Sequence, residues 1–184
     1  MNNVITFTNE YFDKAISLKK DFKVLEKKTW DELSTLCELT VQVGHLYNFF
    51  LKDGEVSEKG RNFSSFGDEL CDVILQLYYL CYLMDIKLDD LVKYEEYTYE
   101  NSDGIIILCG QLNEAVLEVY KYRFDKKHED YADTMLFIKD RISKILKLVI
   151  NVANKFNVSL ATSFDEMIMD SHNFIEKRLS GGKN

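Results

Sequence analysis

Glu69 and Asp72 stand three residues apart in Gly67-Asp68-Glu69-Leu70-Cys71-Asp72-Val73-Ile74-Leu75-Gln76-Leu77, a run that is otherwise strongly apolar. Side chains at that spacing leave the same face of an α-helix, so the two carboxylates can converge on one hard cation. Burying carboxylates beside leucine and valine is costly unless something compensates them. A metal ion, another cation or a water-lined pocket is therefore expected opposite Glu69 and Asp72, and oxygen ligands of this type suit Mg²⁺ or Mn²⁺.

The elements that must position this pair read as helices. The 184 residues contain no proline and only eight glycines, and 46% are hydrophobic. That predicts an all-α bundle of about seven helices in a single domain spanning residues 1–184. Thr8 or Asn9 is expected to cap a first helix reaching about Lys27. Thr29, with Glu32 three residues on, predicts a capping box that opens a second helix to about Leu51. Residues 52–62 read as a loop, placed to act as a mobile lid. A third helix covers about Ser64 to Met84, Asp85 to Leu88 form a tight turn, and a fourth helix follows from about Asp89 to Tyr99.

The pattern then restarts, with helices predicted over Ile105 to Phe124, Tyr131 to Phe156, and from a cap at Thr162 or Ser163 to about Ser180. A shift of 72 positions lays Leu70 on Ile142, Val73 on Ile145, Leu77 on Val149 and Leu88 on Leu160. So many apolar matches in one register predict a degenerate tandem repeat, the first copy over about 22–100 and the second over about 104–180. In the same register Glu69 falls on Arg141 and Asp72 on Lys144, which inverts both charges. Glu114 and Glu118 lie nearby, so Arg141 and Lys144 are expected either to form internal ion pairs with them or to reach substrate phosphates.

Three segments resemble the all-α nucleoside triphosphate pyrophosphatases, the group of MazG-like proteins and dimeric dUTPases. Trp30 through Val41-Gln42-Val43-Gly44-His45-Leu46 is similar to the family's Trp-bearing helix with its EExGEL-type motif. Asp68-Glu69-Leu70-Cys71-Asp72-Val73 resembles its DELxDV motif, and Met84-Asp85-Ile86-Lys87-Leu88 its G-I-D-L turn. The resemblance implies that an ExxE and an ExxD pair hold Mg²⁺, which activates water and releases pyrophosphate and a nucleoside monophosphate. Carried over by position, Glu69 and Asp72 match the ExxD pair. Gln42 and His45 occupy the ExxE positions, where neither is an acid, and Glu38, one turn earlier, is placed to compensate. Trp30 matches the wall of a nucleotide pocket.

Other residues carry alternatives. Lys52, Lys59 and Arg61 are placed to close over phosphates or to stay solvated. Tyr78, Tyr79 and Tyr82 suit either a helix interface or a stacked base. His128 and His172 have no partner spacing and read as exposed. A formal charge of −8 and a pI near 5.0 argue against a nucleic-acid polymer as partner. The four cysteines lie in apolar helical patterns and read as buried, reduced thiols. No apolar run reaches the length of a membrane span, so a cytoplasmic protein is expected, with a nucleotide or a second copy of the chain as partner. Two functions stand open: a metal-dependent nucleotide pyrophosphohydrolase, or a non-catalytic relative that serves as a nucleotide-binding or protein-interaction module.

Overall fold

The computed structural model of the chain describes residues 9–50, 65–91, 103–123 and 127–181. They form α1 (Asn9–Phe22), α2 (Glu32–Tyr47), α3 (Phe66–Leu83), α4 (Leu88–Leu91), α5 (Asp103–Val119), α6 (Tyr131–Lys155) and α7 (Leu160–Leu179). Lys52, Lys59, Arg61 and most of the expected fourth helix lie outside the described residues. Among the described residues no helix is long and apolar enough to cross a membrane.

The α3 sequence is buried nearly all round, from Leu70 through Cys81, as a helix at the centre of a bundle must be. It packs against α1, α2, α6 and α7, while α2 also lies on α5 and α5 on α6. Leu39, Leu70, Leu77, Leu108, Leu112, Ile138 and Val149 fill the space between these helices and are shielded from solvent completely. The two hairpins, α2 with α3 and α5 with α6, thus share one core. Each is closed by a helix from the other half: α7 rests on α3, and the short α4 rests on α6.

Two positions 72 residues apart end their helices in the same way. Asp85 and Asn157 both take the left-handed conformation, with φ of 54° and 56°. Ile86 N donates to Cys81 O and Val158 N to Ala153 O, each at 2.8 Å. The same helix-ending turn occurs a third time after α5, where Lys121 has a φ of 60° and Tyr122 N donates to Leu117 O at 2.9 Å, so it is a general helix stop in this fold. Cys71 and Ser143, also 72 apart, each donate a side-chain hydrogen bond to a backbone carbonyl of the other half, Leu160 O at 3.7 Å and Leu91 O at 2.7 Å. On α2 and α5 the faces align one residue further on, since buried Leu36, Leu39 and Val43 correspond to buried Cys109, Leu112 and Val116.

Several expected boundaries move for local reasons. The first helix stops at Phe22 rather than Lys27, and the turn bonds Lys23 N to Lys20 O and Leu25 N to Phe22 O bring the chain back toward Trp30. Asp31, not Thr29, caps α2, because Asp31 and Ser34 exchange side-chain bonds to each other's amides at 2.8 Å. Ser159, not Thr162 or Ser163, caps α7. Cys71, Cys81 and Cys109 are buried free thiols as expected, but Cys37 is exposed on the outer side of α2.

Ser163 instead lies against Gly67, where α7 meets the first turn of α3. A Cβ at Gly67 would overlap Ser163 Oγ and come within 3.0 Å of Ser163 Cβ and 3.2 Å of Val158 Cγ1. Gly67→Ala should therefore destabilise the fold by about 2 kcal/mol, despite alanine's better helix propensity. A midpoint of urea unfolding equal to that of the natural chain would contradict this packing.

Candidate functional site

The acid pair of α3 is placed as the spacing predicts, facing α2. Glu69 is 2% exposed and Asp72 is half-buried. From α2, Glu38, Gln42 and His45 project in a row toward them. Gln42 Nε2 donates to Glu38 Oε1 at 2.6 Å, which fixes the amide orientation because a carboxylate oxygen only accepts. The other amide atom, Gln42 Oε1, lies 2.9 Å from His45 Nδ1, so the ring must carry its proton on Nδ1. The same Nδ1 stands 3.7 Å from Glu69 Oε2 and links the row to α3.

Lys19 completes the group, and no motif announced it. Its position in α1 is 6% exposed. Nζ sits 4.2 Å from the centroid of the Trp30 ring and 5.0 Å from that of Tyr79, both at cation–π range. The ammonium also interacts electrostatically with Glu38, Glu26 and Asp72. The available sequence signal was periodicity: Ala15, Ile16, Leu18 and Lys19 are the buried residues of α1, so Lys19 lies on its core side. Trp30, expected as a nucleotide wall, has its ring occupied by this ammonium. Tyr78 and Tyr79 are buried in the helix interface, and Tyr82 is exposed while stacked on Tyr79 at 6.0 Å.

Burial and like charge shift the centre's ionisation. Burial, with help from Asp68, Glu69 and Glu38, pushes the Asp72 carboxyl up to about 8, against the opposing pull of Lys19. Burial, then Glu69, Asp170 and Glu166, raises Asp68 to about 6. Burial lowers Lys19 to about 8, with Glu38, Glu26 and Asp72 opposing.

These side chains do not fit a magnesium centre as they stand. Mg²⁺ requires ionised or carbonyl oxygens in near-octahedral array. Gln42 Oε1 serves His45, and Glu38 Oε1 serves Gln42. Among the described residues no group of three or more His, Cys, Asp or Glu side chains is arranged to hold a metal ion.

The second half departs from expectation. Arg141 and Lys144 do not pair with Glu114 and Glu118; both bind Asp140, at 2.5 and 3.0 Å. Arg141 also lies over the Phe137 ring, 4.1 Å from its centroid. The segment after α5 folds back on that helix, so Glu114 pairs with Arg123 at 2.9 Å and Lys127 at 2.6 Å. Glu118 accepts from the amides of Lys127 and His128 and contacts His128 Nδ1 at 3.1 Å. His128 is consequently half-buried against Phe137 rather than exposed, whereas His172 is exposed and meets Asp21.

Comparison of the chain with protein-family models, with curated proteins and with solved structures gives no match.

The ionisation pattern has a measurable consequence. Asp72 and Asp68 hold protons in the folded chain where unfolded aspartates have lost them, so the stability they contribute below about pH 4 is lost as pH rises through about 6 and then 8. The depressed Lys19 acts oppositely: stability present above about pH 10.4 is lost as pH falls through about 8. The centre is therefore least favourable near pH 8. Asp72→Asn should raise Tm at pH 8 by at least about 3 °C and flatten the decline between pH 5 and 8. A variant that melts lower than the natural chain at pH 8 would refute the assignment.

Proposed function

We propose that the chain is a non-catalytic relative of the all-α nucleoside triphosphate pyrophosphatases, a tandem of two degenerate copies that keeps the family's frame as a protein-interaction module. The observation that carries this reading is the row Glu38–Gln42–His45 beside Glu69, whose members hydrogen-bond one another in sequence. A site organised in this way satisfies its own charges and leaves little to recruit a metal triphosphate. The bonds of Cys71 and Ser143, 72 residues apart, to backbone carbonyls of the opposite half support the tandem origin.

The outer surface of α2 and α5 supports the interaction role. Cys37, Thr40, Val41 and Gly44 are exposed on α2 and Ile106, Ile107 and Gly110 on α5, none of them charged. Thr40 accepts a hydrogen bond from Asn113 at 3.0 Å, and beside this pair a cavity of about 270 Å³ is lined by Leu33, Cys37, Leu117 and Tyr122. Among the described residues a Cβ at Gly44 or Gly110 would meet nothing within 4 Å, so packing among them requires neither glycine. Glycine inside a helix costs about 1 kcal/mol relative to alanine, and its usual return is close approach by another backbone. A second copy suits this face, because a patch without charge avoids repulsion between chains of net charge −8.

The pyrophosphohydrolase reading retains one supporting observation: Asp68, Glu69 and Glu38 all raise the Asp72 carboxyl, a strain that a divalent cation would relieve. A panel of nucleoside triphosphates with Mg²⁺ and Mn²⁺ separates the two. Pyrophosphate release is expected to stay at background, and release that disappears in Glu69→Ala would establish the enzyme instead. Light scattering should give twice the 21.6 kDa chain mass at micromolar concentration. Gly44→Glu should return it to the monomer; a natural chain that is monomeric throughout would remove the pairing role.

A further inference from the structure

Two kinds of incomplete packing meet in the groove where α2 lies on α5. The first is space. A cavity of about 270 Å³ opens there, walled by Leu33 and Cys37 of α2 and by Leu117 of α5. The exposed Tyr122 forms its outer side. The left-handed turn at Lys121 puts it there, bringing Tyr122 N to 2.9 Å from Leu117 O and the residue back beside that leucine. Apolar walls that face a void forgo the dispersion contacts of a filled interior.

The second is an acceptor. Thr40 Oγ1 donates its proton to Leu36 O at 2.9 Å, so in its 3.0 Å bond with Asn113 it accepts from Nδ2. That bond orients the amide and makes the other terminal atom the oxygen. Asn113 Oδ1 is shielded from solvent and has no hydrogen-bond partner among the described residues. A buried oxygen in that state has lost its hydration without return. Thr40 and Asn113 both line the cavity, and no charged residue does. Water is a poor occupant, because an ordered buried water needs about two to four polar neighbours and these walls are mostly apolar.

We propose that this cavity binds a small, neutral aromatic molecule carrying a single N–H or O–H donor, its ring between Leu33, Cys37 and Leu117 and its donor on Asn113 Oδ1. A ring suits the volume, since an apolar cavity of about 150 Å³ already takes benzene. A flat ring also packs well on Tyr122. One donor answers the one orphaned oxygen, and a second polar group would meet leucine. The half-buried Asn113 presents Oδ1 by a small turn of its side chain toward the cavity. The site lies within one chain and goes beyond the pairing of two copies, on which it does not depend.

Indole and indene are the probes, alike in shape, with an N–H on indole alone. Each is titrated into the isotope-labelled full chain and followed by its amide resonances. Indole should bind, with shifts centred on α2 and α5. Asn113→Leu keeps the side-chain volume and removes the acceptor, so it should lower the ratio of indole to indene affinity at least about tenfold. Cys37→Phe, at an exposed position, fills the cavity and should abolish binding of both probes. No binding of indole by the natural chain at millimolar concentration overturns the proposal. So does an affinity ratio that Asn113→Leu leaves unchanged, or binding that persists in Cys37→Phe. Gly44→Glu leaves the lining intact and should bind indole as the natural chain does; loss of binding there overturns a site built within one chain. The mass found by light scattering bears on the pairing alone.

Discussion

Charge burial on α3 is the constraint around which the molecule is arranged. This helix is the hub of the bundle, contacting α1, α2, α6 and α7, yet it carries Glu69 and Asp72 among its leucines and valines. The hydrophobic effect draws α3 inward along its whole length, and each carboxylate resists through lost hydration. The fold reconciles the two by importing polar and positive groups from its neighbours. His45 comes from α2 and Lys19 from α1, and burial pushes the Asp72 carboxyl up to about 8. Removing one member would therefore disturb the ionisation of the others, as expected for a coupled buried cluster.

The second half meets the same topological demand by another route. On α6 the positions 72 residues beyond Glu69 and Asp72 are Arg141 and Lys144, and their charges are met by Asp140 on the same helix. Glu118 on α5 is then served by backbone amides and His128 from the connection. One half brings its compensation from distant helices and the other finds it locally. The cross-bundle bonds of Cys71 and Ser143 hold the halves in corresponding positions, independently of either charge arrangement.

This division of labour gives α1 its significance. It has no counterpart among the helices paired by the shift, and it packs on α3 and α7 through Ala15, Ile16 and Leu18. Lys14 reaches Asp165 at 2.9 Å and Asp21 meets His172, so α1 is tied to α7 at both ends. These exposed pairs contribute little stability individually. Their geometric effect is to hold α1 where Lys19 can enter between Trp30 and Tyr79.

Local pattern was enough to read the seven helices, the central position of the third, the repeated turn and the inward pair Glu69 and Asp72. Each depends on periodicity or turn chemistry within a few residues, and helical spacing alone sets which side chains share a face. Helix ends were less legible, since Asp31 and Ser159 won their caps over nearby serines and threonines by small differences in local hydrogen bonding. The partners of the buried charges were decided only in three dimensions. Lys19 and Asp72 are far apart along the chain, and a lysine within an amphipathic helix looks the same whether its head turns outward or inward. Likewise, a glutamate on α5 has cations available both from α6 and from the connection, and the fold-back after α5 made the choice. Coulombic attraction acts between whichever charges packing brings close, so the sequence determined which helix faces carry charge, and the tertiary structure selected each charge's partner.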